Sequence, residues 1–267
     1  MSHIVNYYSQ FDEWGRLDRE PIEFLVNWEY IKKYLPESGF ILDNGAGPGK
    51  YAMRLAQEGY YITLADVTPK LVNVAKEKAL ELKLDKQFDG FYELDARNLS
   101  SLEDGQFDAT LMLGPMYHLQ DQKSRLQAVQ ELNRVTKKDG VVFVAFMSRI
   151  RHIFTSLLNP EHWKPNDNMD TIQTFLETGC FNHADDGRFT GAYYFNMEDI
   201  KPFMESQGFE SLELLGSNVG AVLNQESWDY WKNKGEEERV TKFIIEKATD
   251  SSLLGISTHL LYIGRKI

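Results

Sequence analysis

Phe40-Ile41-Leu42-Asp43-Asn44-Gly45-Ala46-Gly47-Pro48-Gly49-Lys50 is the stretch whose reading decides the fold. A short apolar run ends in an acid and is followed at once by a glycine-rich turn. Behind the turn, Tyr51, Ala52, Leu55 and Ala56 recur at helical spacing, and Gly59 ends that helix. Working outward, the spacing predicts strands over 61–66, 91–95, 107–113 and 141–146. Between them lie a helix opened by Thr68 and Pro69, with Leu71, Val72, Ala75, Ala79 and Leu82 inward, and a helix over 120–137 closed by Gly140. The run Val141-Val142-Phe143-Val144-Ala145-Phe146 has no polar alternation, as expected of a strand buried on both faces. Five strands alternating with helices predict an α/β fold, a doubly wound parallel sheet with right-handed crossovers.

The flanks are less regular. An amphipathic helix over 21–35 carries Phe24, Trp28, Ile31 and Leu35 on one stripe. A short helix over 150–158 leads into polar, turn-rich sequence up to about residue 190. The pattern recovers with a helix over 196–206, stopped by Gly208, and a strand over 209–215. A second irregular stretch holds Trp228, Tyr230 and Trp231, before a charged helix over 236–247 and a last strand at 260–264. These segments divide one domain, 1–267, into an N-terminal helical lid (1–38), a core (39–149), an insert (150–195) and a C-terminal part of the sheet (196–267) with an insert at 217–258.

Composition narrows the class. The 267 residues carry 40 acids against 29 Lys and Arg, a net charge of -11, which opposes long-range steering toward nucleic acid. The single cysteine, Cys180, excludes an intramolecular disulfide and a cysteine-built metal cage. The first residues have no signal-peptide pattern and no run of apolar residues is long enough for a membrane helix, so a reducing, cytoplasmic setting without membrane is expected. The sequence does not indicate an oligomeric state. His3, His118, His152, His162, His183 and His259 show no metal-ligand spacing, and no metal is expected.

A glycine turn at the carboxyl end of strand one is a ligand site in such sheets. A P-loop needs four residues before its Gly-Lys pair and a Ser or Thr after it; Gly45 to Gly49 leaves three, and Tyr51 follows Lys50. The dinucleotide fingerprint would place its third glycine where Lys50 stands, and Pro48 removes an N–H from a turn that would hold pyrophosphate. An acid at Asp43 suits a cationic ligand and repels pyrophosphate.

The run Asp43-Asn44-Gly45-Ala46-Gly47-Pro48-Gly49 resembles motif I of class I S-adenosylmethionine (SAM)-dependent methyltransferases. The nearest style is that of the small-molecule enzymes of ubiquinone and menaquinone biosynthesis. That resemblance implies a Rossmann-like seven-stranded sheet, mostly parallel with an antiparallel last strand slotted inward, and SAM as cofactor. It also implies which residues face the cofactor. Asp43, Gly45, Ala46, Gly47 and Gly49 would surround the amino-acid and ribose parts. Asp66, with Val67 beside it, would accept the ribose hydroxyls, Asp95 and Ala96 would meet the adenine, and Leu113 would pack on it. Tyr8, in the segment Tyr7-Tyr8-Ser9-Gln10-Phe11-Asp12-Glu13-Trp14-Gly15-Arg16-Leu17, would fold over the cofactor or else anchor the first helix.

Methyl transfer from a sulfonium is an in-line displacement that needs alignment and dryness; a phenol or carbon acid also needs a base. His118 and Tyr117, after strand four, are the catalytic candidates. His118 reads either as a general base or as a structural histidine bonded to loop backbone, and Tyr117 either contacts substrate or covers the cofactor pocket. The aromatics of the lid segments, among them Trp14, Phe154, Trp163, Phe175, Phe181 and Tyr194, build either a cap over an apolar, aromatic or amine acceptor or the lid's own small core. The reading is methyl transfer from SAM to an N, O or C atom of a small molecule. The alternatives are a peptide or protein methyltransferase of the same fold, an NAD-dependent oxidoreductase, and a SAM-binding protein without turnover.

Overall fold

The computed structural model describes residues 5, 7–9, 13–15, 21–185, 188–219, 223 and 225–267. In chain order these form α1 (Pro21–Tyr34), β1 (Phe40–Asn44), α2 (Lys50–Gln57), β2 (Tyr61–Asp66), α3 (Pro69–Glu81), β3 (Phe88–Glu93), β4 (Phe107–Met112), α4 (Gln122–Val135) and β5 (Thr136–Met147). Next come α5 (Arg149–Leu158), α6 (Met169–Thr178), β6 (Cys180–Phe181), β7 (Ala192–Tyr193), α7 (Met197–Glu205), β8 (Phe209–Gly216), α8 (Gln225–Asn233), α9 (Glu237–Lys247) and β9 (His259–Lys266). Among the described residues, no helix is long and apolar enough to cross a membrane. His3, Gln10, Phe11, Asp12, Arg16 and Leu17, which the sequence singles out, lie outside the described residues.

The principal sheet has the order β3-β2-β1-β4-β5-β9-β8. β1 through β5 pair in parallel, whereas β9 runs antiparallel to both β5 and β8. The last strand therefore slots inside the sheet, as the resemblance implies. Strand β5 shows why this sheet needs helices on both sides. Val141 and Phe143 point into a cluster with Trp28 and Ile31 of α1 and Leu55 of α2; Val142, Val144 and Phe146 point into another with Val129 and Leu132 of α4 and Ile200 of α7. Two buried faces demand the continuous apolar run that the sequence carries.

Three local readings shift. The helix expected over 120–137 stops at Val135, and Gly140 lies inside β5 and not at a helix end. Buried Thr136 is the reason: its hydroxyl donates to the Leu132 carbonyl, sits 2.9 Å from that of Thr110, and the residue pairs with Phe107 across the sheet. The third strand spans 88–93, so Asp95 lies beyond its end. The stretch around Trp228, Tyr230 and Trp231 is a helix, α8.

The insert also holds more order than its polar composition suggests. Asn168 caps α6 through the Thr171 N–H, and Gly179 closes it in the left-handed conformation at φ 68°. The short β6–β7 hairpin follows, and Ile153, Phe175, Phe181 and Tyr194 form a separate small core. Buried His152 lies among the rings of Trp163, Phe175, Phe181 and Tyr194, and burial pushes its pKa down to about 3. Most lid aromatics thus pack on one another.

Buried Arg149 ties this insert to α5. It donates through Nε to the Tyr194 carbonyl (3.0 Å), through Nη1 to that of Leu176 (3.0 Å), and through Nη2 to the Tyr193 hydroxyl (3.3 Å). Arg149→Met removes all three donors and leaves two carbonyls unpaired, so a loss of about 3 kcal/mol is expected. Urea unfolding measures that loss; an unchanged midpoint would show that Arg149 does not hold the insert.

Candidate functional site

The chain leaves β1 through a turn that only glycine builds without strain. Gly45 and Gly47 have φ of 73° and 56°, and a side chain on Gly45 would run into the Pro115 ring at 2.3 Å. The Gly45 and Ala46 N–H groups donate to the Ala65 carbonyl, and that of Gly47 to Asp66 Oδ2 at 2.8 Å. The turn is thereby fastened to the end of β2. Gly49 has a different task. At φ 83° it opens α2, and a Cβ there would meet Leu64 at 2.8 Å, so it serves helix–sheet packing and does not line the cavity.

The turn forms one wall of a cleft of about 1010 Å³, open to solvent, at the carboxyl ends of β1, β2 and β4. This is the switch point of the sheet, where the chain passes from the β1–β3 half to the β4–β5 half. Asp43, Gly45, Ala46, Gly47, Asp66, Val67, Asp95, Ala96, Leu113, Tyr117, His118 and Tyr8 all line it. Of the residues singled out in the sequence for this site, Gly49 alone stands behind the wall.

The electrostatics are uneven. Glu13, Asp43, Asp66 and Asp95 line the cleft against one cation among its described lining residues, Lys50. Burial, reinforced by the neighbouring charge of Asp66, pushes the Asp43 carboxyl up to about 7, against a backbone hydrogen bond from Ala52. Burial also raises Asp66, opposed by the N–H groups of Thr68 and Gly47. Asp95 differs: its burial is outweighed by Arg97, whose Nε and Nη2 and backbone N–H bind the carboxylate and hold it below the ordinary range. The contact with adenine that the resemblance implies for Asp95 thus falls to a carboxylate already tied to Arg97.

Beyond the turn, Gly114 to His118 lead away from β4. Tyr117 donates to the Leu113 carbonyl at 3.1 Å, and the His118 Nε2 atom is 2.8 Å from the Tyr8 hydroxyl. His118 is partly buried, and burial, with His259 nearby, pushes its pKa down to about 3, so the ring is neutral across the physiological range.

Among the wall residues that escaped the sequence reading are Glu13 and Asn44. Glu13 reaches the cleft next to Gly47 from a segment over thirty residues upstream, with no spacing to mark it. Asn44, between the acid and the first glycine, reads as a turn residue. Its side chain is buried, and Nδ2 has no hydrogen-bond partner among the described residues.

Residues 41–140 match the model of a family described as a methyltransferase domain. Over that span the chain is similar to a methyltransferase domain. Over 137 residues it is 28% identical to YqeM of Bacillus subtilis (strain 168), named as a methyltransferase, covering 51% of this chain and 52% of that one. It is 32% identical over 126 residues to the ubiquinone biosynthesis O-methyltransferase of Xylella fastidiosa (strain 9a5c), covering 46% and 48%. The chain thus spans about half the length of each of these relatives. Among solved structures, a SAM-dependent methyltransferase of Methanosarcina mazei superposes with a TM-score of 0.60 at 19% identity, covering 89% of this chain and 97% of that one. The seven-stranded sheet with its inserted antiparallel strand is that fold.

Proposed function

We propose that the chain is an enzyme that moves a methyl group from SAM to a small-molecule acceptor in the reducing cytoplasm. The observation that carries this is the cleft itself, a glycine turn flanked by carboxylates with Lys50 as the only cation among its described lining residues. Such a wall suits a cationic ligand and repels a pyrophosphate. The residues fit SAM in two ways. Asp66 keeps acceptor capacity beyond its two backbone bonds for ribose hydroxyls. Asp43 with Glu13 offsets positive charge.

SAM supplies a methyl group already activated by its positive sulfur. The chain contributes the rest: the turn and Asp66 hold the donor, Leu113 and Tyr117 wall off water, and the Tyr8–His118 end receives the acceptor. Calorimetric titration with SAM, S-adenosylhomocysteine and NADH tests the reading. Binding of the two sulfur nucleosides and not of NADH is expected. Binding of NADH alone would make the chain an oxidoreductase, and silence from all three would end the proposal.

A further inference from the structure

The outward side of α5 is more apolar than its inward side. Arg149, His152, Ile153 and Ser156 are buried against the fold, whereas Ile150, Phe154, Leu157 and Leu158 stand 39%, 54%, 48% and 70% exposed. At about 100° per residue these four share a stripe roughly 100° wide, the width of face that a helix normally buries. Together they expose roughly 400 Å² of surface, a patch size at which a monomer commonly has an interaction site. Other exposed rings are covered in part: Lys234 lies over Tyr230 and Lys247 over Phe243. No ring or cation lies against Phe154 among the described residues.

We propose that this stripe seats a second copy of the chain, in a two-fold dimer that packs α5 antiparallel on α5. The spacing of the stripe points to its partner. Phe154 is the middle, with Ile150 four residues before it and Leu158 four residues after. A two-fold axis at Phe154 sets ring against ring and lays each Ile150 toward the other copy's Leu158, so the surface is complementary to itself.

Charge and area agree with that partner. Helix α5 has two arginines and no acid. Arg149 is held by the Tyr194 and Leu176 carbonyls, while Nε of half-buried Arg151 has no hydrogen-bond partner among the described residues. Antiparallel packing brings Arg151 toward the C-terminal turn of the other α5, whose last carbonyls carry partial negative charge. A polyanionic partner, nucleic acid or acidic lipid, would instead meet Glu161, Asp167, Asp170 and Glu177, all exposed on the same insert. A standard interface buries about 800 Å² per partner, and the stripe supplies about half of it as an apolar centre. Arg151, Thr155 and Asn159 lie beside it on α5 as a polar rim. Ile153, on the inward side, shares the insert core with Tyr117, which lines the cleft, so the dimer braces the insert from outside. The pairing is independent of what the cleft binds.

Sedimentation equilibrium of the full chain, from micromolar to submillimolar concentration, tests the dimer. It is run on wild type, Phe154→Asp, Leu158→Asp, and Phe154→Cys in a Cys180→Ser background. Wild type should approach twice the mass of the chain, and either aspartate substitution should weaken association about a hundredfold. Thermal midpoints taken in dilute protein, where all are monomers, should stay near that of wild type, because both side chains stand in solvent. Mild oxidation should link the Phe154→Cys chains in pairs, since the axis sets the two thiols side by side, and should leave the Cys180→Ser parent unlinked. Wild type that stays monomeric throughout would overturn the dimer; its sedimentation with phosphatidylcholine–phosphatidylglycerol vesicles would then assign the stripe to lipid. Association undiminished in both aspartate variants would overturn it as well, by moving the interface to another face. Association lost in those variants without a Phe154→Cys cross-link would overturn the antiparallel pairing.

Discussion

Asp66→Ala is expected to weaken SAM binding about a hundredfold. The carboxylate ends β2 almost fully buried, and each oxygen already accepts one backbone N–H at 2.8 Å, Oδ2 from Gly47 and Oδ1 from Thr68. Beyond these and a bond from the Thr68 hydroxyl, the carboxylate keeps acceptor capacity for the ribose hydroxyls. Bonds to a charged acceptor contribute roughly 1.5 kcal/mol or more each, and two of them amount to about two decades in Kd. The structure adds a consequence that the sequence does not show. Alanine also strips the Gly47 and Thr68 N–H groups of their acceptor, so the turn loosens and the fold loses roughly 1–2 kcal/mol. Asp66→Asn separates the two effects: its amide oxygen still serves one N–H, and most of the stability should return while the affinity stays low. Calorimetry and thermal unfolding of both variants measure this, and wild-type affinity in Asp66→Ala would remove the residue from the site.

What could be read in advance follows from how local each signal is. The turn after Phe40 to Asp43 and the apolar run over 141–146 are dictated by neighbours in the chain. The strand–helix order of the core and the ends of β1 and β2 were therefore legible, and with them Asp43 and Asp66. The inward antiparallel β9 came with the family resemblance and not from periodicity. Illegible were the features set by contacts distant in sequence. Glu13 reaches the turn only because the N-terminal segment lies across it. Gly49 resembles its neighbours in the motif, but its contact with Leu64 of β2 turns it to packing. Arg97 ties up Asp95 across a turn that no hydrophobic period describes. The helix α6 buries only Ile172 and Phe175, too few apolar positions for a period to emerge from a polar stretch.

The affinity for SAM should rise about tenfold for each pH unit between roughly pH 5 and 7 and level off above that. Asp43 is the cause. Burial and the charge of Asp66 place its pKa at about 7 in the empty cleft, so near pH 5 the carboxyl is protonated. A cation bound beside it favours the ionised form, and binding then releases the proton, at a cost that grows as the pH falls below 7. Glu13, Asp66 and Lys50 line the same cleft, and His118, held near 3, stays neutral. The ligand-free protein follows the opposite sign. A carboxyl raised from 3.8 to about 7 in the folded state binds its proton more tightly there than in the unfolded chain. Its contribution to stability is therefore full below the unfolded value and is lost as pH rises through the folded one. Asp43→Asn should accordingly raise the unfolding midpoint of the ligand-free protein at pH 8 by several degrees and leave it nearly unchanged at pH 4. The same variant should bind SAM more weakly than wild type at pH 8 and with no slope between pH 5 and 7. Proton release measured by titrating SAM in buffers of different ionisation enthalpy gives the direct reading. A slope that survives in Asp43→Asn would move the titrating group to Asp66 or Glu13.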